Sequence, residues 1–323
     1  MINGYTSEHG KLRPVADLEG EFDRLVWIDL LDPQNGEESL VERAVGINVP
    51  TREEMEEIEV SSRLYYEDEA VYMTATLPAQ SDTDDPEMAP VTFVLAGERL
   101  ITVRYHDPRA FQNFPRRAEK MSMGCTNGAG TLIALLEVIV DRLADIVERA
   151  AGDIDTLSRG IFRTNGTQTT KSRDFQRALE EIGRKGDLNS KLRDSLATLE
   201  RLVAFLGQAT AKSKLDTQGR SRLKTLSRDV RSLTDHSSFL SQKIMFLLDA
   251  TLGMINIEQN AIIKIFSVAA VVFLPPTLIA SIYGMNFDHM PELDWLVGYP
   301  FAIGLMVASA ILPYWYFKRR GWL

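Results

Sequence analysis

The chain has 323 residues, 45% of them apolar, and a mean hydropathy of -0.11, values typical of water-soluble proteins with one or two domains. Its charge is uneven, because the first 125 residues carry 12 Lys and Arg against 25 Asp and Glu, whereas the rest carries 24 against 20. This acidic N-terminal part argues against nucleic acid as a partner and suits a protein that handles cations.

Cysteine and histidine residues are few, which limits the chemistry of the chain. Its one cysteine, Cys125, excludes an internal disulfide, and its four scattered histidines lack the ligand spacing of a zinc site. The first residues have neither the basic nor the apolar segment of a signal peptide. We therefore expect the large N-terminal part to be cytoplasmic.

Residues 1–125 are predicted to form a cytoplasmic α/β domain. Short apolar runs indicate strands, and the last two of these flank a four-residue turn as a hairpin. In chain order the expected elements are a strand at 25–30, a helix at 36–45 and strands at 70–77, 91–95 and 100–104. No glycine-rich phosphate loop follows any of these strands, so the pattern indicates no nucleotide site.

Four carboxylates lie close together between the second and third predicted strands, at Asp82, Asp84, Asp85 and Glu87. The cluster invites comparison with a Ca²⁺-binding loop, but it lacks the glycine and the closing glutamate of an EF-hand. A solvated loop between two strands is therefore the favoured interpretation.

Residues 126–260 are predicted to form a bundle of long helices that ends in a stalk helix. Apolar residues recur at steps of three and four over 132–147, a polar break follows at 165–167, and a return helix is expected over 175–206. This spacing predicts two antiparallel helices joined at a polar tip.

The stalk helix is indicated from Ser221 onward by a seven-residue repeat typical of a coiled-coil seam. The seam residues are Leu223, Leu226, Val230, Leu233, Ser237, Leu240, Ile244, Leu247, Thr251 and Met254. Because no helix breaker precedes Pro275, we expect one continuous helix to Tyr283, with a length of roughly 95 Å.

Residues 261–323 are predicted to form a transmembrane hairpin with a basic tail. Two uncharged runs, 265–287 and 295–317, are each long enough to cross a bilayer as a helix, and we place the spans at about 265–284 and 297–317.

The charges that flank these spans predict their orientation. Lys264 precedes the first span and Lys318, Arg319 and Arg320 follow the second, whereas the connecting loop has no basic residue. The positive-inside rule therefore places both termini in the cytoplasm and the loop outside. The loop carries three acids that are expected to draw cations to the mouth of the hairpin, Asp288, Glu292 and Asp294.

A stripe of small and polar residues runs along the side of the stalk helix opposite the seam. Its members are Asp249, Gly253, Asn256, Asn260, Ile263, Ser267, Ala270, Leu274 and Thr277. Such a stripe is ill suited to lipid, so it faces either water or a neighbouring helix, and the pattern leaves both hypotheses open. Because two spans cannot enclose a pore, an aqueous stripe requires several copies in a ring.

Several motifs resemble the CorA family of divalent-cation transporters, most closely over residues 247–323. They are Tyr283-Gly284-Met285-Asn286, Met290-Pro291-Glu292-Leu293, the closing Lys318-Arg319-Arg320-Gly321-Trp322-Leu323, and Asn256-Ile257-Glu258-Gln259-Asn260 upstream. The resemblance implies an α+β cytoplasmic domain with long helices, two C-terminal transmembrane helices and a homopentameric funnel. The alternative for the first motif is a purely structural role, in which Gly284 is a left-handed helix C-cap and Asn286 accommodates the turn that follows.

The same resemblance implies the roles of individual residues. Gly284, Met285 and Asn286 would form a selectivity filter in which Asn286 holds hydrated Mg²⁺, and Asp249 would form a second metal ring. The pore-lining positions implied by the resemblance are Asp249, Asn260, Ile263, Phe266, Leu274 and Thr277. The stripe adds Asn256 and Ser267, and it favours Ser267 over its neighbour Phe266. Regulatory Mg²⁺ would bind between cytoplasmic domains, with Asp229 and Asp235 as weak candidates. The basic tail would form either a collar around the neck or an anchor at lipid headgroups.

The expected function is Mg²⁺ influx across the cell inner membrane, with Co²⁺ and Ni²⁺ as further permeant ions. Mg²⁺ would be both substrate and regulator, no prosthetic group is expected, and the partners would be further copies of the chain, the lipid bilayer and divalent cations. One alternative is a Zn²⁺ transporter on the same scaffold. Another is a cytoplasmic enzyme or scaffold tethered by the hairpin, although the sequence offers no nucleophile, base or cofactor motif for an enzyme.

Overall fold

The computed structural model describes residues 1–16, 18, 20–34, 36–80, 83, 86–162, 172–211, 216–286 and 290–321. It divides into two compact units, Met1–Leu248 and Asp249–Leu323. The division of the first unit near residue 125 stays a prediction. Three carboxylates of the acidic loop, Asp82, Asp84 and Asp85, lie outside the described residues.

A mixed sheet of seven strands forms the N-terminal part of the first unit. The strands are β1 (Ile2–Glu8), β2 (Lys11–Val15), β3 (Leu25–Leu31), β4 (Leu64–Glu67), β5 (Ala70–Ala79), β6 (Glu87–Ala96) and β7 (Arg99–Arg104). Their order in the sheet is β2-β1-β3-β7-β6-β5-β4, and among the strands that the structure describes only β3 and β7 pair in parallel. The predicted hairpin is confirmed as β6 and β7, in which Ala96 pairs with Arg99.

Three strands are not predicted from the sequence: β1, β2 and β4. The turn between β1 and β2 is formed by His9 and Gly10, both at positive φ, a conformation that favours two-residue hairpin turns. Neither strand alternates clearly between apolar and polar residues, because much of their surface is half-buried. Their position in the sheet depends on pairing, since β1 pairs with β3 and β2 pairs with β1.

Side chains of β3 alternate between two cores on opposite faces of the sheet. Ile28 and Leu30 belong to an apolar cluster with Val41 of helix α1 (Glu37–Val45) and Met55 of helix α2 (Arg52–Glu56). Two more short elements complete this region, namely helix α3 (Val60–Arg63) and helix α4 (Arg109–Lys120). On the other face, Trp27 meets Phe114 of α4 edge to face, with ring centroids 5.3 Å apart.

In the described part of the chain, four long helices follow the sheet. They are α5 (Gly128–Phe162), α6 (Ser172–Ala211), α7 (Thr217–Tyr283) and α8 (Gly298–Arg319). The 67-residue α7 continues through Pro275 and Pro276 to Tyr283 without interruption, which confirms the expected continuous stalk helix. At 1.5 Å per residue its length is about 100 Å.

Within the first unit, the predicted seam of α7 is its packing face. The seam residues from Leu223 to Leu247 are buried or half-buried, as in Val230 and Leu240, while Asp229 and Asp235 beside them are exposed. Polar contacts fix the register of this packing: Ser237 Oγ donates to Asn189 Oδ1 of α6 at 3.0 Å, and Asn189 Nδ2 donates back to the carbonyl oxygen of Ser237 at 3.0 Å.

The start of α7 is held to α5 by a two-pronged ion pair. Arg222 Nε and Nη2 donate to the two carboxylate oxygens of Glu137 at 2.8 and 2.6 Å, and Nη1 donates to the carbonyl oxygen of Met123 at 2.9 Å. A paired guanidinium fork of this kind combines geometric specificity with charge-assisted hydrogen bonding. It fixes where α7 begins relative to α5.

The second unit contains the C-terminal part of α7, a 3-10 helix at Pro291–Asp294 and α8. Both α7 and α8 are long and apolar enough to cross a membrane, and only 6% of the most apolar window of each helix is buried. Apolar surface left open on this scale is typical of helices whose solvent is lipid rather than water.

Candidate functional site

Every position of the polar stripe on α7 is exposed in the single chain, from Asp249 to Thr277. The apolar members are included, because Ile263 is 60% exposed and Leu274 is 65% exposed. Beside the stripe, Val268 is only 7% exposed and begins a half-buried face that continues through Val272. The stripe therefore lies outside the face of α7 that the second unit itself covers.

Phe266 and Ser267 are both exposed, with Phe266 at 71%. Exposure in the single chain therefore does not show whether Phe266 or Ser267 faces the proposed pore. The other predicted pore residues, Asn256 and Asn260 among them, are exposed on the same side of α7. Their role in a pore stays a prediction.

Two consecutive prolines lie beside the C-terminal part of the stripe. Proline has no amide hydrogen, so the carbonyls four residues before Pro275 and Pro276 have no donor from the next helical turn. Hydroxyl groups follow at once: Thr277 Oγ1 donates to the carbonyl oxygen of Phe273 at 2.8 Å, and Ser281 Oγ donates to that of Thr277 at 2.8 Å. These hydroxyls bond to the carbonyls of Phe273 and Thr277, and not to the two carbonyls that the prolines leave without an amide donor.

The segment Gly284-Met285-Asn286 follows the last residue of α7, and all three residues are exposed. The amide of Gly284 still donates to the carbonyl oxygen of Ala280 at 2.9 Å, and that of Met285 donates to Ile282 at 3.2 Å. Gly284 does not adopt a positive φ, so the suggested left-handed cap is wrong. A Cβ atom at this position would instead lie 3.2 Å from the carbonyl oxygen of Ala280, closer than ordinary contact.

Of the three predicted mouth acids, the structure describes the side chain of Asp294. Asp294 is exposed at the end of the 3-10 helix, whereas the side chain of Glu292 in the same helix is not described. Asp288 lies outside the described residues. Their attraction for cations stays a prediction.

The weak regulatory candidates, Asp229 and Asp235, both lie on exposed positions of α7. Within the described ranges, no group of three or more His, Cys, Asp or Glu side chains is arranged to hold a metal ion. The pKa of Asp141 on α5 is raised by burial and, further, by the charges of Glu137, Asp145 and Asp229, while the charge of Arg117 lowers it. Asp229 therefore influences a neighbouring carboxyl group. A regulatory metal site stays a prediction.

The C-terminal end of α8 combines basic and aromatic residues. The guanidinium carbon of Arg319 lies 5.1 Å from the ring centroid of Trp315, and that of Arg320 lies 5.7 Å from the ring centroid of Tyr316. Aromatic and basic side chains together are typical of the boundary between bilayer and water. This arrangement suits the predicted anchoring of the basic tail.

Besides the three unpredicted strands, two structural features have no counterpart in the sequence predictions. One is a buried ion pair between Asp29 and Arg104, and the other is the amphipathic helix α4 with its basic residues. Asp29 and Arg104 are 75 positions apart, so no local pattern relates them. The close spacing of Arg116, Arg117 and Lys120 is a signal that the sequence does carry.

These features define an integral membrane protein with a large N-terminal α/β and helical unit and two candidate C-terminal spans. A family model described as CorA-like Mg²⁺ transporter protein matches residues 22–319. The chain belongs to this family, and it is accordingly a member of a family of Mg²⁺ transporters.

Relatives and a solved structure agree with that assignment over the full length. The chain is 37% identical to the magnesium transport protein CorA of Pasteurella multocida and 36% identical to that of Escherichia coli K12, with 100% of both chains covered in each comparison. The fold resembles the complete structure of the CorA magnesium transporter from Methanocaldococcus jannaschii, with a TM-score of 0.79, 19% identity and coverage of 100% of this chain and 99% of that one.

Proposed function

We propose that the chain forms a homopentameric channel that admits Mg²⁺ through a central pore lined by α7. Its two spans per chain cannot enclose a passage, so the stripe has to be shared among copies around an axis. In this arrangement each stripe residue becomes a ring: carboxylates at Asp249, amides at Asn256 and Asn260, and apolar constrictions at Ile263 and Leu274 that gate by dewetting.

The single observation that carries this proposal is that the polar members of the stripe, from Asp249 to Thr277, are all exposed on the side of α7 opposite its seam. Two polar members of the stripe, Ser267 and Thr277, lie within the predicted span, where polar side chains are costly against lipid. A water-filled axis would supply hydrogen-bond partners to these side chains. It would also explain why the second unit leaves the stripe of α7 uncovered. A face made only for packing against the second span of the same chain would be covered already.

The segment Gly284-Met285-Asn286 is proposed as the selectivity filter at the outer end of the pore. Mg²⁺ gives up its water molecules reluctantly, so the partners it prefers are acceptors of hydrogen bonds from those waters. A ring of Asn286 amide oxygens and of Gly284 carbonyls provides such acceptors. Unlike a ring of carboxylates, it does not hold the ion by full negative charge.

The direction of transport is proposed to be inward across the cell inner membrane, with both termini in the cytoplasm. A divalent cation entering down the potential gains about 4.6 kcal/mol per 100 mV, so no other energy source is required. Hydrated Co²⁺ and Ni²⁺ are of similar size and are proposed to permeate as well. Gating by Mg²⁺ bound between cytoplasmic domains is proposed from membership of the family.

The test is Mg²⁺ flux into proteoliposomes, measured with an entrapped dye at several internal Mg²⁺ concentrations. We expect Asn286→Ala to reduce the flux by about tenfold or more, since each copy loses its acceptor for the ion's water shell. Asn48→Ala is the matched control, because Asn48 is an exposed asparagine of the first unit. Equal flux in the wild type and Asn286→Ala would contradict the proposed filter.

Two alternatives make different predictions in the same assay. A Zn²⁺ transporter on this scaffold would give Zn²⁺ flux that exceeds Mg²⁺ flux under equal gradients. A tethered enzyme or scaffold would give no flux of either ion, and Asn286→Ala would leave its activity unchanged. The Mg²⁺ assignment of the full-length relatives, at 36 to 37% identity, favours the magnesium channel over both.

A further inference from the structure

A basic cavity of about 390 Å³ opens between α4 and α5 in the first unit. Arg116, Arg117 and Lys120 line it from the last turns of α4, and Arg142 lines it from α5. Its floor contains the small apolar side chains of two further residues, Ala110 and Val138. A volume of this size falls within the range of small-molecule sites.

The cavity is unusual because of the charge around it. Helix α4 carries four basic residues against one acid, Glu119, whereas the rest of the first 125 residues carries 8 Lys and Arg against 24 Asp and Glu. Three of the four basic residues of α4 line the cavity. A concentration of positive charge in an otherwise acidic domain raises the local concentration of anions and not of cations.

Two carboxylates, Asp141 and Asp145, line the same cavity one helical turn apart on α5. Arg117 Nη1 lies 3.8 Å from Asp141 Oδ2, at the outer limit of an ion pair, and both side chains are at least half exposed. Two acids are too few to hold a metal ion alone. Mg²⁺ is, however, commonly bound by one or two carboxylates together with the phosphate oxygens of a ligand.

We propose that this cavity binds a small polyphosphate anion in complex with Mg²⁺, of the size of a nucleoside di- or triphosphate. The phosphates contact Arg116, Arg117 and Lys120, because guanidinium groups match phosphate geometry with paired hydrogen bonds. Asp141 and Asp145 face the Mg²⁺ ion that the phosphates carry. The recognition resides in the phosphate and metal chemistry, and it uses no glycine-rich loop.

The side chains proposed to bind the ligand are open to it. Arg116, Arg117, Asp141 and Asp145 are all exposed.

The test is binding of ATP and of inorganic tripolyphosphate to the full chain in detergent or nanodiscs, measured by calorimetry at fixed Mg²⁺ and again with the metal chelated. We expect saturable binding of both anions and none of adenosine. Arg116→Gln with Arg117→Gln should weaken both by at least about tenfold, because two charge-assisted contacts are lost. The control pair, Arg43→Gln with Arg52→Gln, alters exposed arginines of the same unit outside the cavity and should bind as the wild type does.

A second variant distinguishes the contribution of the metal ion to binding from that of the phosphates. Asp141→Asn with Asp145→Asn should weaken binding when Mg²⁺ is present and strengthen it when the metal is chelated, because the same carboxylates attract the ion and repel bare phosphate. All four substituted side chains are exposed, so the variants are expected to fold. Absence of saturable binding, or equal binding by the wild type and the double arginine variant, would overturn the proposal, and neither result depends on ion transport.

Discussion

Asp29 and Arg104 form an ion pair that is almost fully buried between the parallel strands β3 and β7. Their side chains are 3% and 5% exposed, and Arg104 Nη2 lies 2.8 Å from Asp29 Oδ2. Asp29 Oδ1 also accepts from Thr102 Oγ1 at 2.8 Å, and Thr102 Oγ1 accepts in turn from Trp27 Nε1 at 3.0 Å. Because Trp27 belongs to this network, its fluorescence reports on this part of the sheet.

Arg104→Met is expected to destabilise the first unit by about 3 to 5 kcal/mol, because it leaves Asp29 buried without its partner. The measurement is thermal unfolding followed by tryptophan fluorescence, in which Trp27 reports on the sheet. Arg52→Met is the control, since its ion pair with Glu56 is exposed at 65% and 54% and should contribute about 0 to 1 kcal/mol. Equal shifts for the two variants would contradict a structural role of the buried pair.

His106 is 5% exposed, and its Nε2 lies 2.9 Å from the carbonyl oxygen of Leu77. Among the described residues, Nδ1 has no hydrogen-bond partner. Burial lowers the pKa of His106; the hydrogen bond to Leu77 and the charges of Glu87 and Asp107 oppose this shift, and the charge of Arg104 adds to it. The folded protein therefore favours the neutral imidazole.

This lowered pKa predicts how stability depends on pH. Below the unfolded value near 6.5 the unfolded chain binds more protons than the folded one, so stability should fall as pH decreases from about 6.5 toward the folded pKa. Unfolding of the wild type between pH 7.5 and pH 5 should show this loss, at no more than about 1.4 kcal/mol per pH unit from this group. His106→Gln should lack that component, and an identical pH profile for the variant would exclude His106 as its source.

At the scale of elements, the first residue of α5, Gly128, lies in very close contact with the backbone at the start of β7. The amide of Gly128 donates to the carbonyl oxygen of Glu98 at 2.6 Å. A Cβ atom on Gly128 would lie 2.6 Å from the carbonyl oxygen of Arg99 and 2.7 Å from the amide nitrogen of Leu100. These are backbone atoms, so they have no rotamer with which to move away.

Gly128→Ala should therefore destabilise the first unit by about 1 to 3 kcal/mol, as overpacking does in a close-packed interior. Gly152→Ala in the same helix is the matched comparison, because nothing lies within 4 Å of its added Cβ atom. That change should stabilise by about 0.4 to 1 kcal/mol through reduced freedom of the unfolded chain. Thermal unfolding of the two variants should thus shift in opposite directions, and shifts of the same sign would contradict the close contact at Gly128.

At the scale of the whole molecule, the proposed pore requires water along the stripe of α7 and lipid along the outer surface of α8. Ser267 lies on the stripe, and Leu305 is 41% exposed on α8. The one native cysteine provides a silent background, since Cys125 is buried and burial raises its pKa to about 11. Single cysteines introduced at the two positions can therefore be compared directly.

Ser267→Cys should react with a charged, water-soluble methanethiosulfonate at least about tenfold faster than Leu305→Cys in proteoliposomes, because only a hydrated thiol ionises to the reactive thiolate. The rate of mass gain of the intact protein measures the reaction. Equal rates would mean that the stripe has no better access to water than the lipid-facing surface. In that case the stripe would serve helix packing, the second hypothesis that its composition allows.

Several features of the chain are predictable from sequence because their determinants are local. Length and apolarity define the candidate spans, and the seven-residue repeat indicates the packing face of α7, which the burial of Val230 and Leu240 confirms. The motif from Tyr283 to Asn286 indicates the CorA family, which the family model and full-length relatives establish. The β6–β7 hairpin is equally local, since its two strands are joined by a short turn.

Other features depend on the tertiary structure, because they join parts of the chain that no spacing relates. The parallel pairing of β3 with β7 brings Asp29 to Arg104, and the packing of α4 against α5 creates the basic cavity. The backbone at Gly284 departs from the cap that its residue type suggested. Sequence thus determined the family, the spans and the composition of the α7 stripe, whereas folding decided which face of that helix stays uncovered, because burial is set by contacts between distant segments.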